Sequence, residues 1–259
     1  MADRSSAEHR LWLRSFHQAA PGAPRLLFLP HAGGSASFYV PFSKALSPAV
    51  DVLSVQYPGR QDRLAEPPAT SVQELARGVL RALDERDDTP LALFGHSMGA
   101  MVGHELARLL QDAGRPPAVF FVSGRRGPSV ERAEDVHQGG DARLIEEVAK
   151  LDGTHEALLQ DEDILRMILP ALRADYRAVE TYRRTPGPRL GCPLVALTGD
   201  ADPRVTPEEA RTWSEETDGP FELHVYPGGH FYLREQQQAV LSRIESTLRR
   251  LGPGTGAAA

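Results

Sequence analysis

The sequence contains a single cysteine, Cys192, so no disulfide bond can form within the chain. It also lacks a long apolar segment. The longest uninterrupted apolar run is five residues, 118–122, whereas a membrane-spanning helix needs about 20. Residues 1–10 are polar and have no apolar stretch of the kind found in signal peptides. From these absences we expect no membrane association and a location in the reducing cytoplasm.

Basic residues are in deficit: 29 Lys and Arg stand against 35 Asp and Glu, for a formal net charge of −6. Non-specific nucleic-acid binding requires clustered basic side chains that neutralise phosphates, so we expect no nucleic-acid partner. No His, Cys or Glu residues are spaced like metal ligands, and no Gly-x-Gly-x-x-Gly motif follows a predicted strand. We therefore expect neither a metal nor another cofactor.

The sequence does have the composition of a folded protein, with 41% hydrophobic and 25% charged residues. Short apolar runs, rich in Leu, Val and Phe and bounded by Gly, Pro or Asp, alternate with helical patterns. Such runs predict strands that are buried on both faces. They lie at residues 25–29, 50–55, 91–94, 118–122, 194–197 and 221–225. Residues 11–17 are predicted to add an edge strand.

Helical periodicity occupies the intervals between these strands. Ser71 and Glu74 have the spacing of a capping box, and apolar residues follow at helical spacing as far as Leu83. Further helices are predicted at residues 98–110, 207–216 and 234–251. Strands that alternate with helices indicate βαβ units, so we expect an α/β fold with a mostly parallel central sheet and helices on both faces.

One segment, residues 127–188, interrupts the alternation. It contains no predicted strand, and helices are predicted at 141–151 and at 162–184, the second with Pro170 inside it. A helical segment of about 60 residues is too long for a simple crossover. We interpret it as a helical lid inserted into a core of residues 10–126 and 189–251, and ordinary sheet-covering helices are the alternative. The polar ends, residues 1–9 and 252–259, are expected to be disordered.

The strongest functional signal is the pentapeptide Gly95-His96-Ser97-Met98-Gly99. The bare Gly-x-Ser-x-Gly pattern is weak, but here it follows a predicted buried strand and opens a predicted helix. That setting is typical of a nucleophile elbow, a turn so sharp that side chains at the glycine positions would collide with neighbouring backbone. We therefore predict that Ser97 is a nucleophile.

A serine hydroxyl is a weak nucleophile at neutral pH and needs a base. In enzymes with this elbow the chain order is nucleophile, acid, histidine. His230 lies in a glycine-rich loop just past the last predicted strand, which makes it the expected base, whereas His224 lies within that strand and is expected to pack there. The acid should follow the strand at 194–197. Both Asp200 and Asp202 satisfy that condition, and Asp200 is the candidate for capping the turn.

An oxyanion that forms on the substrate needs two backbone N–H donors. One should come from Met98, directly after the nucleophile, and the other from the loop after the first long strand. That loop contains Gly33 and Gly34, which let its backbone approach a substrate closely, and we favour the N–H of Ala32. No base is expected beside Cys192, which precedes Pro193 at a strand start and is interpreted as a structural thiol.

Taken together, five blocks make the chain resemble the type II thioesterases, the discrete α/β-hydrolases that accompany polyketide synthases and nonribosomal peptide synthetases. The resemblance covers roughly residues 10 to 250, and the Tyr-Pro-Gly-Arg element separates this family from general esterases. The blocks are Pro30-His31-Ala32-Gly33-Gly34, Gln56-Tyr57-Pro58-Gly59-Arg60, Gly95-His96-Ser97-Met98-Gly99, Gly199-Asp200-Ala201-Asp202-Pro203 and Gly228-Gly229-His230-Phe231.

The resemblance implies an α/β-hydrolase fold with a helical lid, and it implies Asp202 as the acid. It further implies an editing hydrolase that cleaves acyl thioesters from the phosphopantetheine arm of acyl carrier proteins. The partners would be carrier domains of a synthase, and we expect the enzyme itself to be a monomer. Carboxylesterase or lipase activity on oxygen esters, release of medium-chain fatty acids, and a non-enzymatic binding role remain alternatives.

Four arginines are candidates for attracting an acidic carrier protein or the pantetheine phosphate. They are Arg60, Arg63, Arg125 and Arg126. Arginines on a protein surface are more often simply solvated, which is the alternative interpretation.

Overall fold

A computed structural model describes residues 2–83, 89–151 and 161–251. Seven strands in these ranges form one sheet in the order β1-β3-β2-β4-β5-β6-β7, in which every neighbouring pair is parallel except β1 and β3. All six predicted strands are confirmed, and the predicted edge strand is reduced to two residues. The strands are β1 (Leu13–Arg14), β2 (Arg25–Leu29), β3 (Asp51–Val55), β4 (Leu91–His96), β5 (Val119–Ser123), β6 (Leu194–Gly199) and β7 (Phe221–Tyr226).

The helices are α1 (Ala2–Trp12), α2 (Val40–Leu46), α3 (Val72–Ala82), α4 (Met98–Asp112), α5 (Asp141–Lys150), α6 (Glu162–Glu180), α7 (Pro207–Arg211), α8 (Tyr232–Glu235) and α9 (Gln237–Leu251). The predicted helix at 207–216 is α7 followed by a 3-10 turn, Thr212–Glu216, and the predicted helix at 234–251 is divided between α8 and α9. The short helix α2 was not predicted from the sequence. None of the described helices is both long and apolar enough to cross a bilayer.

Helices cover the sheet on both faces, as the sequence predicted. Consecutive residues of β5 show why, because Phe120 packs in one core cluster and Phe121 in the other, as alternation along a strand requires. The first cluster contains the buried faces of α3 and α4, for example Leu75 and Val102. The second contains those of α2 and α9. A sheet buried on both sides explains why its strands are apolar runs rather than alternating patterns.

The expectation of disorder over residues 1–9 is wrong for residues 2–9, which belong to α1. The helix is held by its last residue: the Trp12 ring is 8% exposed and packs in the core cluster of α3. The Arg63 guanidinium lies 4.5 Å from the centroid of that ring, and His9 Nδ1 is 3.1 Å from the Ala82 carbonyl oxygen. Tertiary docking, rather than local sequence preference, orders this helix.

Between β5 and β6 the described residues form α5, α6 and a 3-10 turn and contain no strand, as predicted. A separate apolar cluster joins α6 to α5 and to a 3-10 turn, Val136–Gln138, through the residues Val136, Leu144, Leu169, Leu172 and Tyr176. Helix α6 continues through Pro170. The interpretation of residues 127–188 as a lid stays a prediction, and residues 152–160 of it, together with 252–259, lie outside the described part of the chain.

The docking of α1 generates a stability prediction. Trp12→Ala removes a buried aromatic ring and should lower the free energy of unfolding by about 3–5 kcal/mol. Leu11→Ala, at a neighbouring position whose side chain is 45% exposed, is the matched control and should have little effect. Urea denaturation followed by circular dichroism measures both, and equal midpoints for the two variants would show that α1 does not stabilise the core.

Candidate active site

Ser97 lies at the junction of β4 and α4 with φ 54° and ψ −114°, a conformation that few non-glycine residues adopt. Its N–H donates to the Ser123 carbonyl of β5 over 2.8 Å. A Cβ added at Gly95 would overlap the Gly99 carbonyl, and one added at Gly99 would overlap the Leu29 carbonyl of β2. The predicted elbow is therefore present, and both glycines are required because backbone passes directly against them.

The side chain of His230 pairs with that of Asp202. His230 Nδ1 is 2.8 Å from Asp202 Oδ2 and 3.0 Å from Oδ1, and both residues are buried. A carboxylate accepts hydrogen bonds only, so Nδ1 carries the proton and Nε2 is left as the basic nitrogen. Ser97 and His230 line the same cavity. The arrangement provides a hydroxyl and an oriented imidazole on one surface.

The two candidate acids have different partners. Asp200 Oδ1 accepts from the Gly228 N–H over 2.9 Å, so Asp200 ties the loop after β6 to the loop that carries His230. Asp202 also accepts from the Arg204 N–H over 2.8 Å, which fixes its orientation. The structure thus places Asp202 against the imidazole and Asp200 in the turn.

The two predicted oxyanion donors lie at the ends of β2 and β4. Ala32 lines the cavity, and Met98 is the first residue of α4, where backbone N–H groups have no helical acceptor. Within the described ranges neither N–H donates to a protein acceptor. Gly33 N–H, next to Ala32, donates instead to Asp175 Oδ2 of α6 over 2.8 Å. The loop is thus held by its neighbour while Ala32 stays available.

Asp175 was not identified from the sequence, and its partner is Arg60. The carboxylate is fully buried and takes hydrogen bonds from Arg60 Nη1 at 2.6 Å and Nη2 at 2.9 Å, while Nη1 also donates to the Gly34 carbonyl over 3.1 Å. The only signal in the sequence was an acidic residue within the apolar stripe of the predicted helix. The pair fixes the loop that contains Gly33 and Gly34 between the core and α6.

The arginines proposed as surface contacts are not on the surface. Arg60, Arg63, Arg125 and Arg126 are all less than one-tenth exposed, so the expectation of surface charge is wrong for all four. Arg63 pairs with Glu66, and Arg126 with Glu134. Arg60, Arg63 and Arg126 lie inside because hydrogen bonds to carboxylates and backbone carbonyls offset the cost of burying their charge. Of the four, Arg125 borders the cavity that contains Ser97.

A second histidine, His96, packs against the ring of His230. Its ring centroid is 5.0 Å from that of His230. Nδ1 is 2.9 Å from Ser123 Oγ, which shares a 2.7 Å hydrogen bond with the Tyr232 hydroxyl. Burial holds the pKa of His96 well below its usual value. His96 therefore remains neutral and does not add a second positive charge when His230 is protonated.

The cavity has a volume of about 710 Å³. One wall comes from the core loops and carries Ser97, His230 and Ala32. The opposite wall consists of apolar side chains of α5 and α6: Ile145, Val148, Ile164, Leu165, Ile168, Leu169, Leu172, Tyr176 and Val179. Such a space fits an acyl chain that enters with its carbonyl towards Ser97.

The remaining candidates lie away from this cavity. Burial raises the pKa of the Cys192 thiol to about 12, which leaves it protonated and inert. His224 is on β7 and contacts Glu222 at 3.0 Å. The described residues contain no group of three or more His, Cys, Asp or Glu side chains able to hold a metal ion.

Comparison with known proteins agrees with this geometry. The sequence profile of the family described as Thioesterase domain matches residues 24–248. The chain belongs to the thioesterase family. It is 48% identical to Thioesterase PikA5 of Streptomyces venezuelae over 96% of this chain and 89% of that protein. The resemblance found in the sequence is thereby confirmed, and the protein is a hydrolase of thioesters.

Solved structures agree. The type II thioesterase BorB from the borrelidin biosynthetic cluster has a TM-score of 0.86 and 54% identity, covering 92% of this thioesterase and 98% of that chain. YbtT, a type II thioesterase from the yersiniabactin pathway, has a TM-score of 0.85 at 27% identity and covers 93% and 99%. The predicted α/β-hydrolase fold is confirmed by these thioesterase structures.

The different partners of the two aspartates predict different kinetics. Asp202→Asn loses the charge that orients and stabilises the His230 imidazolium and should lower kcat for thioester hydrolysis by about 10³–10⁴-fold. Asp200→Asn keeps an oxygen for the Gly228 N–H and should retain most of the activity. Steady-state assays of both purified variants measure this, and an Asp200→Asn variant as inactive as Asp202→Asn would contradict the assignment.

The buried Asp175–Arg60 pair predicts a loss of both stability and rate. Asp175→Asn leaves the Arg60 charge buried without a counter-ion and should lower the free energy of unfolding by about 3–5 kcal/mol. The Gly33 loop would lose its anchor, so kcat should fall by at least about tenfold, since oxyanion donors are each worth about 10²–10³ in rate. Asp163→Asn, at an exposed site on the same helix, is the control. Unchanged kcat in folded Asp175→Asn protein would show that the pair does not position the loop.

Proposed function

We propose that this thioesterase removes acyl groups from the phosphopantetheine thiol of acyl carrier proteins, with Ser97 as nucleophile, His230 as general base and Asp202 as its orienting acid. The observation that carries the proposal is the strained Ser97 elbow facing the same cavity as an imidazole already fixed by a carboxylate. The type II thioesterases of biosynthetic clusters among its relatives support carrier-bound intermediates as substrates. We also propose that the enzyme acts as a monomer.

The chemistry proceeds in two steps. His230 Nε2 takes the proton of the Ser97 hydroxyl as Oγ bonds to the thioester carbonyl carbon. The oxyanion accepts from the N–H groups of Met98 and Ala32, and the positive end of α4 favours its charge. Collapse breaks the carbon–sulfur bond, the pantetheine thiol leaves with the proton from His230, and an acyl-serine remains.

In the second step, water hydrolyses the acyl-serine with the same catalytic groups. His230 removes a proton from a water molecule whose oxygen attacks the acyl-serine carbonyl, the same oxyanion donors act again, and the Ser97 oxygen leaves and is reprotonated. A thiol with a pKa of about 8.5 is a good leaving group. The first step therefore depends less on proton donation than amide cleavage does, and the orientation of His230 matters most in the second step.

The apolar wall of α5 and α6 supports acyl groups rather than small polar substrates. Hydrolysis of oxygen esters uses the same groups and is the runner-up, as is release of medium-chain fatty acids. The names of the relatives favour a carrier-linked thioester over both. A purely binding role would not require a serine held in a strained conformation beside an oriented base.

The proposal predicts a covalent intermediate and a substrate preference. Butyryl carrier protein mixed with wild-type enzyme should show a transient mass increase on Ser97, and kcat/KM should exceed that of a matched butyryl oxygen ester. Ser97→Ala should abolish both the adduct and turnover, because no other described nucleophile lines the site with an oriented base. Intact-mass spectrometry and product analysis measure these quantities.

Ser35→Ala is a suitable control, since this hydroxyl also borders the cavity but pairs with Ser37 at 2.9 Å and has no imidazole partner. It should hydrolyse the carrier thioester at nearly the wild-type rate. Full activity in Ser97→Ala would overturn the mechanism. Equal kcat/KM for free butyryl pantetheine and butyryl carrier protein would leave the thioesterase activity intact but contradict carrier recognition.

A further inference from the structure

Arg125 is a buried cation whose guanidinium donates no hydrogen bond to the described part of the chain. Its side chain is 9% exposed and borders the cavity that contains Ser97. Nε is buried without a hydrogen-bond partner, and no residue in the described ranges accepts a hydrogen bond from the guanidinium. The nearest carboxylate oxygen, Glu134 Oε2, is 3.6 Å from Nη2, which is too far for a hydrogen bond.

Other buried arginines near this cavity, in contrast to Arg125, do have hydrogen-bond partners. Arg60 is equally buried, yet its guanidinium makes bonds to Asp175 and to three backbone contacts at Pro58 and Gly34. Arg126 bonds Glu134 at 2.9 Å, and Arg204 bonds the other oxygen of Glu134 at 3.2 Å. Glu134 therefore already accepts hydrogen bonds from two other arginines. Only Nε of Arg125 is buried without a partner, so Nη1 and Nη2 are the donors that an acceptor entering the cavity can meet.

The position of Arg125 relates it to the reacting end of a substrate. His96 pairs with Ser123 in the sheet register, and Ser97 N–H bonds the Ser123 carbonyl. Arg125 is thus two residues beyond the strand position level with His96, in the loop that follows β5, the strand next to the one that leads to Ser97. Its carbonyl accepts from the buried Trp213 indole N–H over 2.7 Å, which fixes the backbone. The Arg125 side chain lines the chamber that contains Ser97 and also a smaller neighbouring cavity.

We propose that Arg125 forms a subsite for a neutral oxygen on the acyl group, a hydroxyl or oxo group at C3, so that the enzyme favours oxygenated acyl thioesters over saturated ones of equal length. This inference rests on the proposed function and deepens it.

A neutral oxygen of the substrate suits the surroundings of Arg125 better than an anionic group does. Glu134 stays within 3.6 Å of the guanidinium, so a substrate carboxylate would be buried close to a second carboxylate, whereas a hydroxyl or carbonyl accepts an N–H with no such repulsion. Burial lowers the pKa of Arg125 to about 10, so the side chain remains a cationic donor at neutral pH. The phosphate of pantetheine lies at the opposite end of that arm from the thioester, which removes it from this deep position.

The test compares four pantetheine thioesters that differ near C3: butyryl, 3-hydroxybutyryl, 3-oxobutyryl and malonyl. Wild-type enzyme should show kcat/KM for the two neutral oxygenated groups about 10- to 100-fold above butyryl, the range expected for a hydrogen bond to a charged group. In Arg125→Met the ratio should fall to near one while butyryl hydrolysis is retained. Arg125→Lys should give an intermediate ratio, because it keeps the charge but loses the planar fork.

Arg166→Met, at a site where the arginine side chain is 70% exposed, controls for loss of one positive charge and should keep the wild-type ratio. Retained butyryl turnover shows that Arg125→Met is folded. A wild-type ratio near one, an equal fall for all four thioesters, or a preference confined to malonyl would each overturn the proposal.

Binding separates this inference from the proposed function. In Ser97→Ala protein, calorimetric titration with the same thioesters reports affinity without turnover. The 3-hydroxybutyryl thioester should bind more tightly than the butyryl one, and adding Arg125→Met should remove the difference. If wild-type enzyme hydrolyses none of the four thioesters, the proposed function fails, and the calorimetric ratio still decides the role of Arg125.

Discussion

The site depends on one backbone constraint, the positive φ of Ser97. A non-glycine residue in such a conformation costs on the order of 1–3 kcal/mol and persists only where its surroundings fix it. Here they do so from three strands, since the N–H bonds β5 while Gly95 and Gly99 allow α4 and the end of β2 to pack directly on the turn. The carboxyl ends of β2, β4 and β5 therefore meet at Ser97, and the loop after β2 and Arg125, which follows β5, both line the cavity there.

Buried charge is the second organising feature, and it divides into two kinds. The Arg60–Asp175 pair is saturated with hydrogen bonds and acts as a fastening between the loop after β2 and α6. Arg125 has comparable burial but no hydrogen-bond acceptor among the described residues. In an interior of low polarity, an ion pair with all its hydrogen bonds formed rigidifies its surroundings. A buried arginine with unused donors instead favours a ligand that supplies an oxygen acceptor. Arginine thus has a structural role at position 60, and in our proposal it has a role in substrate recognition at position 125.

The sequence predicted the parts of the fold that depend on local pattern. Strands buried on both faces appear as uninterrupted apolar runs, and Gly95 to Gly99 are contiguous. The sheet and the elbow can therefore be predicted from the sequence. The choice between Asp200 and Asp202 could not be predicted from local pattern. It depends on which carboxylate contacts His230 once the loops after β6 and β7 are packed together. The resemblance to a family favoured Asp202, and the hydrogen bonds place Asp202, rather than Asp200, against His230.

The wrong expectations share a cause. Disorder was expected at the N-terminus because residues 1–10 are polar, yet α1 is ordered by Trp12 against α3. Surface positions were expected for Arg60 and its neighbours because arginine usually contacts water, yet the partner of Arg60 lies 115 residues along the chain. Both depend on contacts between distant segments, and a single sequence does not show which distant residues meet.

These contacts also explain how α6 combines anchoring with access to the chamber. The half that contains Asp175 and Tyr176 is almost entirely buried, whereas residues 162–168 are exposed or half-buried and Met167 is 46% exposed. Breaking a buried ion pair costs several kcal/mol, so the C-terminal half stays with the oxyanion loop. The N-terminal half carries Ile164, Leu165 and Ile168 over the cavity with few buried contacts to hold it. The two halves of α6 are therefore held unequally: Asp175 anchors the C-terminal half to Gly33 and Arg60, whereas the N-terminal half borders the cavity with side chains that are only half-buried.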